Sequence, residues 1–373
     1  MLVVVSAAPA EADAIRDQQW ALQALHTDRA WQTTDGDGVT VAVLDTGVDA
    51  THPDLAGSVL TGKDLIGFGA GRGDSAWALH GTAMAGIIAG HGSGPARGDG
   101  VLGVAPGVKI LPVRVILESA DPSRAKARSS RGDALADGIR WAADHGADVI
   151  NLSLGDDSKS AHPDAEEDAA VQYALGKGVS VVASAGNSGE KGDRTSYPAA
   201  YPGVIAVAAV DQHGTHASFS TRRWYATVSA PGVDIVVANP DRKYYIEWGT
   251  SAAAAFVSGA VALVRAAHPG LSPAEVKQLL ADTARDAPAG GRDDARGHGL
   301  VDPAAAIDAA KKGTADLETA SDTGYREKYF GSGPAPAGSA DGDDGWAAWA
   351  AAVAGVLLLV AAVLLGRAGR RTT

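Results

Sequence analysis

The chain of 373 residues contains no cysteine. That excludes disulfides, thiolate metal sites and a cysteine nucleophile. It does not point to the cytoplasm, because a domain of this size can be stable without covalent staples. Basic charge is also short: 32 Lys and Arg stand against 44 Asp and Glu, a formal net charge of -12. Binding to a phosphate backbone needs a basic surface, so a nucleic-acid binder is excluded. No spacing of His, Asp and Glu makes a zinc site, and there is no internal repeat. Arg-Gly-Asp occurs three times, at 72, 97 and 131, which in a chain this rich in those residues is chance. What is plentiful is apolar residues (46%) and glycine (47 residues). Together they suit a sizeable α/β core with tight turns.

Residues 1–14 read as the end of a secretory signal peptide, a short apolar run followed by small residues, with the basic n-region missing. A polar lead-in follows, in which Trp20, Leu22, Leu25 and Trp31 would pack on a core. Strands are expected at 39–44, 110–115, 149–155, 179–184 and 204–210, all short, apolar and rich in β-branched residues. Helices are expected over 81–90, 133–145 and 164–177, and after Ser251, Pro273 and Pro303. Alternating strands and helices imply right-handed crossovers and a mostly parallel sheet. Residues 57–79 and the basic stretch carrying Arg124, Lys126, Arg128 and Arg131 are expected as loops. The latter would lie near a cleft and favour acidic substrate residues upstream of a cut. The domain should end near 312. Residues 313–345, polar and rich in Gly and Pro, describe a linker. Residues 346–366 hold 21 residues without a charge, enough to span a bilayer. Arginines at 367, 370 and 371 begin a basic tail, so the positive-inside rule places residues 367–373 in the cytoplasm and the large domain outside.

Gly249-Thr250-Ser251 leads directly into an alanine-rich helical run. A small glycine-led turn delivers one serine to a helix start, where free N–H groups favour developing negative charge. Alone, a serine there is more often an N-cap. Two other residues lift that reading. Asp45 ends the first strand, at the carboxyl edge where ligands gather in open α/β sheets, and His80 opens a helix of small residues. A serine hydroxyl needs a base to take its proton, and that base needs a carboxylate to fix its tautomer. Asp…His…Ser is one of the known chain orders for that trio. The other nine histidines (26, 52, 91, 145, 162, 213, 216, 268 and 298) have no such context.

Val43-Leu44-Asp45-Thr46-Gly47-Val48, His80-Gly81-Thr82-Ala83-Met84-Ala85-Gly86 and Gly249-Thr250-Ser251-Ala252-Ala253 resemble the three signature motifs of the subtilisin-like (S8) serine proteases. The likeness covers about residues 15–312. It implies a three-layer α/β/α fold and a serine endopeptidase with Asp45, His80 and Ser251 as its triad. Ser184-Ala185-Gly186-Asn187 is similar to the segment carrying the family's oxyanion-hole asparagine, so Asn187 would donate to the oxyanion with the Ser251 backbone N–H. Ser153, Leu154 and Gly155 resemble the strand edge that pairs with substrate backbone. Gly155, Ala185 and Gly186 would line the pocket for the side chain preceding the scissile bond. No cofactor is implied; structural calcium often accompanies the family, and no compact acidic loop here fixes a site. Two positions depart from the family: Ala255 stands where proline is common, and Phe256 where histidine is frequent. Alanine keeps the helix and loosens the constraint on its start.

Only 44 residues precede Asp45 here, so no folding pro-domain is expected. With the C-terminal span, this is most similar to the mycosins, membrane-anchored subtilases associated with type VII secretion in actinobacteria. That resemblance implies a protein substrate, a single-pass anchor in the cell membrane with an extracytoplasmic catalytic domain, and a secretion machine as partner. A generic surface subtilase and a non-catalytic scaffold are the competing readings. An unperturbed His80 would set a fall in rate below pH ~6.5.

Overall fold

A computed structural model describes residues 12–312. The expected linker, span and tail lie outside the described residues, as does the expected signal segment up to residue 11. In chain order the helices are α1 (Ala12–Asp17), α2 (Trp20–Ala24), α3 (Thr27–Ala30), α4 (Leu79–Ala89), α5 (Arg124–Ser130), α6 (Ala134–Asp144), α7 (Ala165–Gly176), α8 (Thr250–Ala267), α9 (Pro273–Asp282) and α10 (Pro303–Ala310). The strands are β1 (Thr40–Asp45), β2 (Lys63–Asp64), β3 (His91–Ser93), β4 (Asp99–Leu102), β5 (Lys109–Arg114), β6 (Val149–Leu152), β7 (Ser180–Ser184), β8 (Ile205–Val210), β9 (Ala226–Pro231), β10 (Ile235–Ala238) and β11 (Tyr244–Glu247).

Seven strands form one sheet in the order β2-β5-β1-β6-β7-β8-β9, and every pairing in it is parallel. Side chains alternate across a strand, so β1 feeds two cores. Val41 and Val43 join α4 and α8 in one hydrophobic cluster. Leu44 points to the opposite face, where α6 presses so close that a Cβ on Gly138 would sit 3.4 Å from Leu44 Cδ2. The result is the three-layer α/β/α arrangement expected from the sequence.

The helix ends follow the local chemistry. Ser272 and Glu275 make a capping box at α9 with Pro273 in its first turn. Asp164 caps α7 by accepting from Glu166 N and Glu167 N. Asp302 caps α10 and also pairs with His26 and Arg285, each at 3.0 Å, which ties the N-terminal lead-in to the last helix. Leu22 and Leu25 are buried, with Trp20 and Trp31 packed against the same core.

Several expectations need correction. The basic stretch is the helix α5 rather than a loop, because Ala127 buries and anchors it. Residues 57–79 include the short strand β2 on the sheet edge. The strand expected through Gly155 leaves the ladder at Leu152. Two hairpins, β3–β4 and β10–β11, and the edge strand β9 have no counterpart in the sequence reading. Among the described residues one helix, α8, is long and apolar enough to cross a membrane; 78% of it is buried inside the protein, so it is the core helix.

Candidate active site

The site gathers at the carboxyl ends of β1, β6 and β7. Asp45 closes β1 and is fully buried. Its Oδ1 accepts from Thr46 N at 2.7 Å. The first turn of α4 lies over it, with Gly81 N donating to Thr46 Oγ1 at 3.1 Å. That approach requires glycine, since a Cβ on Gly81 would fall 2.0 Å from the Gly47 carbonyl oxygen. The close contact presents His80, one residue earlier, to the carboxylate: His80 Nδ1 lies 2.9 Å from both Asp45 oxygens. A carboxylate on Nδ1 fixes the proton there and leaves Nε2 as the basic nitrogen. His80 N donates to Glu118 Oε1 at 2.8 Å, which pins the backbone as well. Burial pulls the His80 pKa down. The Asp45 charge and hydrogen bond, with Glu247 and Glu118 behind them, outweigh it and raise the pKa to about 9.

Ser251 sits in the first turn of α8, where backbone N–H groups have no intrahelical partner. Gly249 before it is extended (φ 162°), so the turn needs no left-handed glycine. The Ser251 hydroxyl donates to the Ser153 carbonyl at 2.9 Å instead of to His80. In return Ser153 Oγ donates to the Ser251 carbonyl at 2.8 Å. Asn151 joins this pair, with Nδ2 3.0 Å from Ser153 Oγ and Oδ1 accepting from Ser258 Oγ at 2.9 Å. The start and third turn of α8 are thereby bolted to the end of β6. Sequence reading missed Asn151 and Ser258, although a polar pair in otherwise apolar runs was visible.

Asn187 is exposed beyond β7. Its Oδ1 accepts from both Thr250 N and Thr250 Oγ1 at 3.0 Å. Two donors on one atom identify that atom as the oxygen, so Nδ2 is the group left to donate. Asn187 N is held by Asp157 Oδ2 at 2.9 Å. Thr250 and Asp157 are further positioning residues that the motifs did not single out.

Ser153, Leu154 and Gly155 run on from β6 beside Ala185 and Gly186, which run on from β7. Tyr225 OH donates to the Ala185 carbonyl at 2.9 Å. Between the two segments lies Ser196: a Cβ on Gly155 would meet its Oγ at 2.7 Å, and one on Gly186 its Cβ at 3.0 Å. Ser196 is fully buried and packs so closely against both segments that neither glycine position has room for a side chain. Asp45, His80, Ser251, Asn187 and the pocket residues all meet on this edge of the sheet. The cations of 124–131 are largely engaged elsewhere. Arg124 donates to the Leu117 carbonyl and Arg131 to that of Ile66, while Lys126 stands 4.6 Å over the Phe68 ring. That removes most of the basis for an acidic preference upstream. Among the described residues no group of three or more His, Asp or Glu is gathered to hold a metal ion.

The model of the subtilase family (peptidase S8) matches residues 36–299, and the chain belongs to that family. Fervidolysin of Fervidobacterium pennivorans is 38% identical over 328 residues, which cover 80% of this chain and 44% of that protein. Its crystal structure, titled as a keratinolytic enzyme related to subtilisin, superposes with a TM-score of 0.66 at 34% identity, covering 83% of this chain and 48% of the other. The chain thus spans about half the length of that relative. Thermitase of Thermoactinomyces vulgaris is 37% identical over 72% of this chain and 88% of its own. MycP1 from Mycobacterium smegmatis is similar in structure, with a TM-score of 0.66 and 31% identity over 81% of this chain and 86% of that one. A further MycP1 structure, from the ESX-1 type VII secretion system, gives the same TM-score at 30% identity over 81% of this chain and 87% of that one.

Proposed function

We propose that the chain is a serine endopeptidase in which Ser251 is the nucleophile, His80 the general base and Asp45 the carboxylate that orients it. The observation that carries this reading is the His80–Asp45 pair, made through both carboxylate oxygens, beside the α8 N-terminus that bears Ser251. Ser251 Oγ turns from the Ser153 carbonyl toward His80 Nε2 when substrate enters; such contacts often tighten only in the complex. Oγ attacks the scissile carbonyl as its proton passes to Nε2. The oxyanion is met by Asn187 Nδ2 and the Ser251 N–H. His80 then protonates the departing amine, leaving an acyl group on Ser251. Water, deprotonated by His80, releases the acid and restores the hydroxyl. Upstream substrate backbone lies along Ser153–Gly155, with its last side chain against Gly155, Ala185 and Gly186. Cleavage of a denatured protein by the full chain, abolished in Ser251→Ala, is the expected result; cleavage by that variant equal to wild type would sink the assignment.

We further propose a membrane-anchored, extracytoplasmic protease of the mycosin type, acting on secreted protein beside a type VII secretion machine. Similarity to MycP1 over most of that protein's length supports this, as do the 21 uncharged residues 346–366 followed by arginines. The higher identity to fervidolysin and thermitase favours a second reading, a general surface protease. Co-purification of secretion-channel proteins with the detergent-solubilised chain supports the first reading; a chain recovered without them supports the second.

A further inference from the structure

Hairpin β10–β11 feeds straight into the Ser251 helix. Glu247 ends β11 opposite Ile235, and only Trp248, Gly249 and Thr250 separate it from Ser251. Gly249 N donates to the Gly232 carbonyl at 2.9 Å, which fixes the hairpin's exit against the sheet edge. Ile246, Glu247 and Trp248 line an open recess of about 500 Å³. Two of its walls are unusually bare: Trp248 is 68% exposed and Ile246 50%. The indole is nevertheless held, with Nε1 donating to Asp234 Oδ1 at 2.7 Å. A large aromatic face held in place in water is a surface kept for contact.

The carboxylate in this recess is only half exposed and has no ion pair or hydrogen bond among the described residues. Burial raises its pKa. His80 works against that, and the carboxylates of Asp45 and Glu118 add to it. Three acidic groups thus act on one imidazole: Asp45 takes its Nδ1 and Glu118 the His80 backbone N–H, while Glu247 makes no hydrogen bond to it. An arriving cation relieves both its desolvation and its repulsion from the other two. A neutral side chain relieves neither and buries the carboxylate further.

The recess also has a defined place on the substrate path. On the proposed reading, Ser153–Gly155 and Ala185–Gly186 take the residues before the scissile bond, on the β6–β7 side of Ser251. His80 must reach the leaving amine, so the chain beyond the bond passes the imidazole, and Glu247 ends the strand that runs into the Ser251 helix on the side away from β6 and β7. We propose that Glu247, with Trp248 and Ile246, forms a subsite for a lysine or arginine side chain just after the scissile bond. The aliphatic stem and cationic head cover the indole, and the head pairs with the Glu247 carboxylate. Glu247 is a specificity-determining residue here and takes no part in proton transfer.

The inference rests on the serine-endopeptidase reading, and the test separates the two. The full chain in detergent is given a peptide p-nitrophenyl ester, whose leaving group places no residue in the recess. Amino-acid amides of Lys, Arg, Gln and Leu are then added as acceptors for the acyl group, followed by peptides varied only at the first two positions after the cut. Expected are ester turnover, a preference of about tenfold for Lys and Arg over Gln and Leu in both formats, loss of that preference in Glu247→Gln, and its reversal toward acidic residues in Glu247→Lys. A cooperative thermal melt shows that both variants fold, and their ester turnover should remain measurable with its acid limb moved downward. Turnover with no preference for basic acceptors overturns this subsite alone, as does a preference that survives in Glu247→Gln. Absence of ester turnover in the wild type overturns the endopeptidase reading and the subsite with it.

Discussion

The acid limb of catalysis should lie well above that of an ordinary histidine. Only neutral His80 can accept the Ser251 proton, and the structure favours the imidazolium. Nδ1 meets both Asp45 oxygens at 2.9 Å, and Glu247 and Glu118 stand behind, so a pKa of 6.5 rises to about 9. The charged, inactive form therefore persists as pH rises, and kcat/KM climbs through that range. Two pH units below such a limb, about one molecule in a hundred carries the neutral base. Water on the 28% of the ring that stays exposed screens the attraction and draws the limb down from its upper value. The same pairing stabilises the fold at pH below 6.5, and that contribution is lost as pH rises through about 9. The perturbation is Glu118→Gln, which keeps an amide oxygen to accept from His80 N and removes one charge. It should move the limb downward without abolishing turnover, and Glu247→Gln should move it the same way. The assay is kcat/KM on a neutral peptide ester from pH 5 to 10.5. A wild-type limb at or below 6.5, or one unmoved by Glu118→Gln, would refute the reasoning and restore the simpler expectation from sequence.

Asn187→Ala should lower kcat by about 10²–10³ with little change in KM, a loss known from the corresponding donor of a subtilisin, a relative of this chain. Thr250→Val removes one of the two donors that orient the amide and should cost less, again in kcat; equal effects on kcat and KM would argue against an oxyanion role. Ser258→Ala withdraws a donor from Asn151 inside a buried network and should destabilise the protein by about 1–2 kcal/mol in urea. An unchanged midpoint would show that the α8–β6 bolt carries no weight. Ser272→Ala breaks the α9 capping box and should cost about 1 kcal/mol, read the same way.

The central strands and long helices were legible because a buried parallel strand is a continuous apolar run and their loops end in Gly or Asn. Strand β9 was not, because Ala226–Pro231 alternates small and polar residues and ends in proline, a pattern shared with loops. Hairpin β10–β11 was missed because its outer strand carries Tyr245 and Ile246 to solvent, so it has no apolar face to count. Helix α5 hid behind its charge, since one buried alanine anchors it. At the site, the motifs identified residues but not their orientation. That Thr250 turns the Asn187 amide, that Ser153 holds the Ser251 hydroxyl, and that Glu118 accepts from His80 N are all contacts between segments far apart in the chain. The looser helix start expected from Ala255 is answered by such a contact: the Ser153–Asn151–Ser258 network fixes α8 where proline is absent.

The central claim is that Ser251 is the nucleophile. A fluorophosphonate probe tests it most directly, because it reacts only with a serine activated by a neighbouring base. The full chain, labelled at pH 9 and digested for mass spectrometry, should carry one adduct, on Ser251, and none in His80→Ala or Ser251→Ala. An unlabelled wild type, or an adduct on any other residue, would contradict the account.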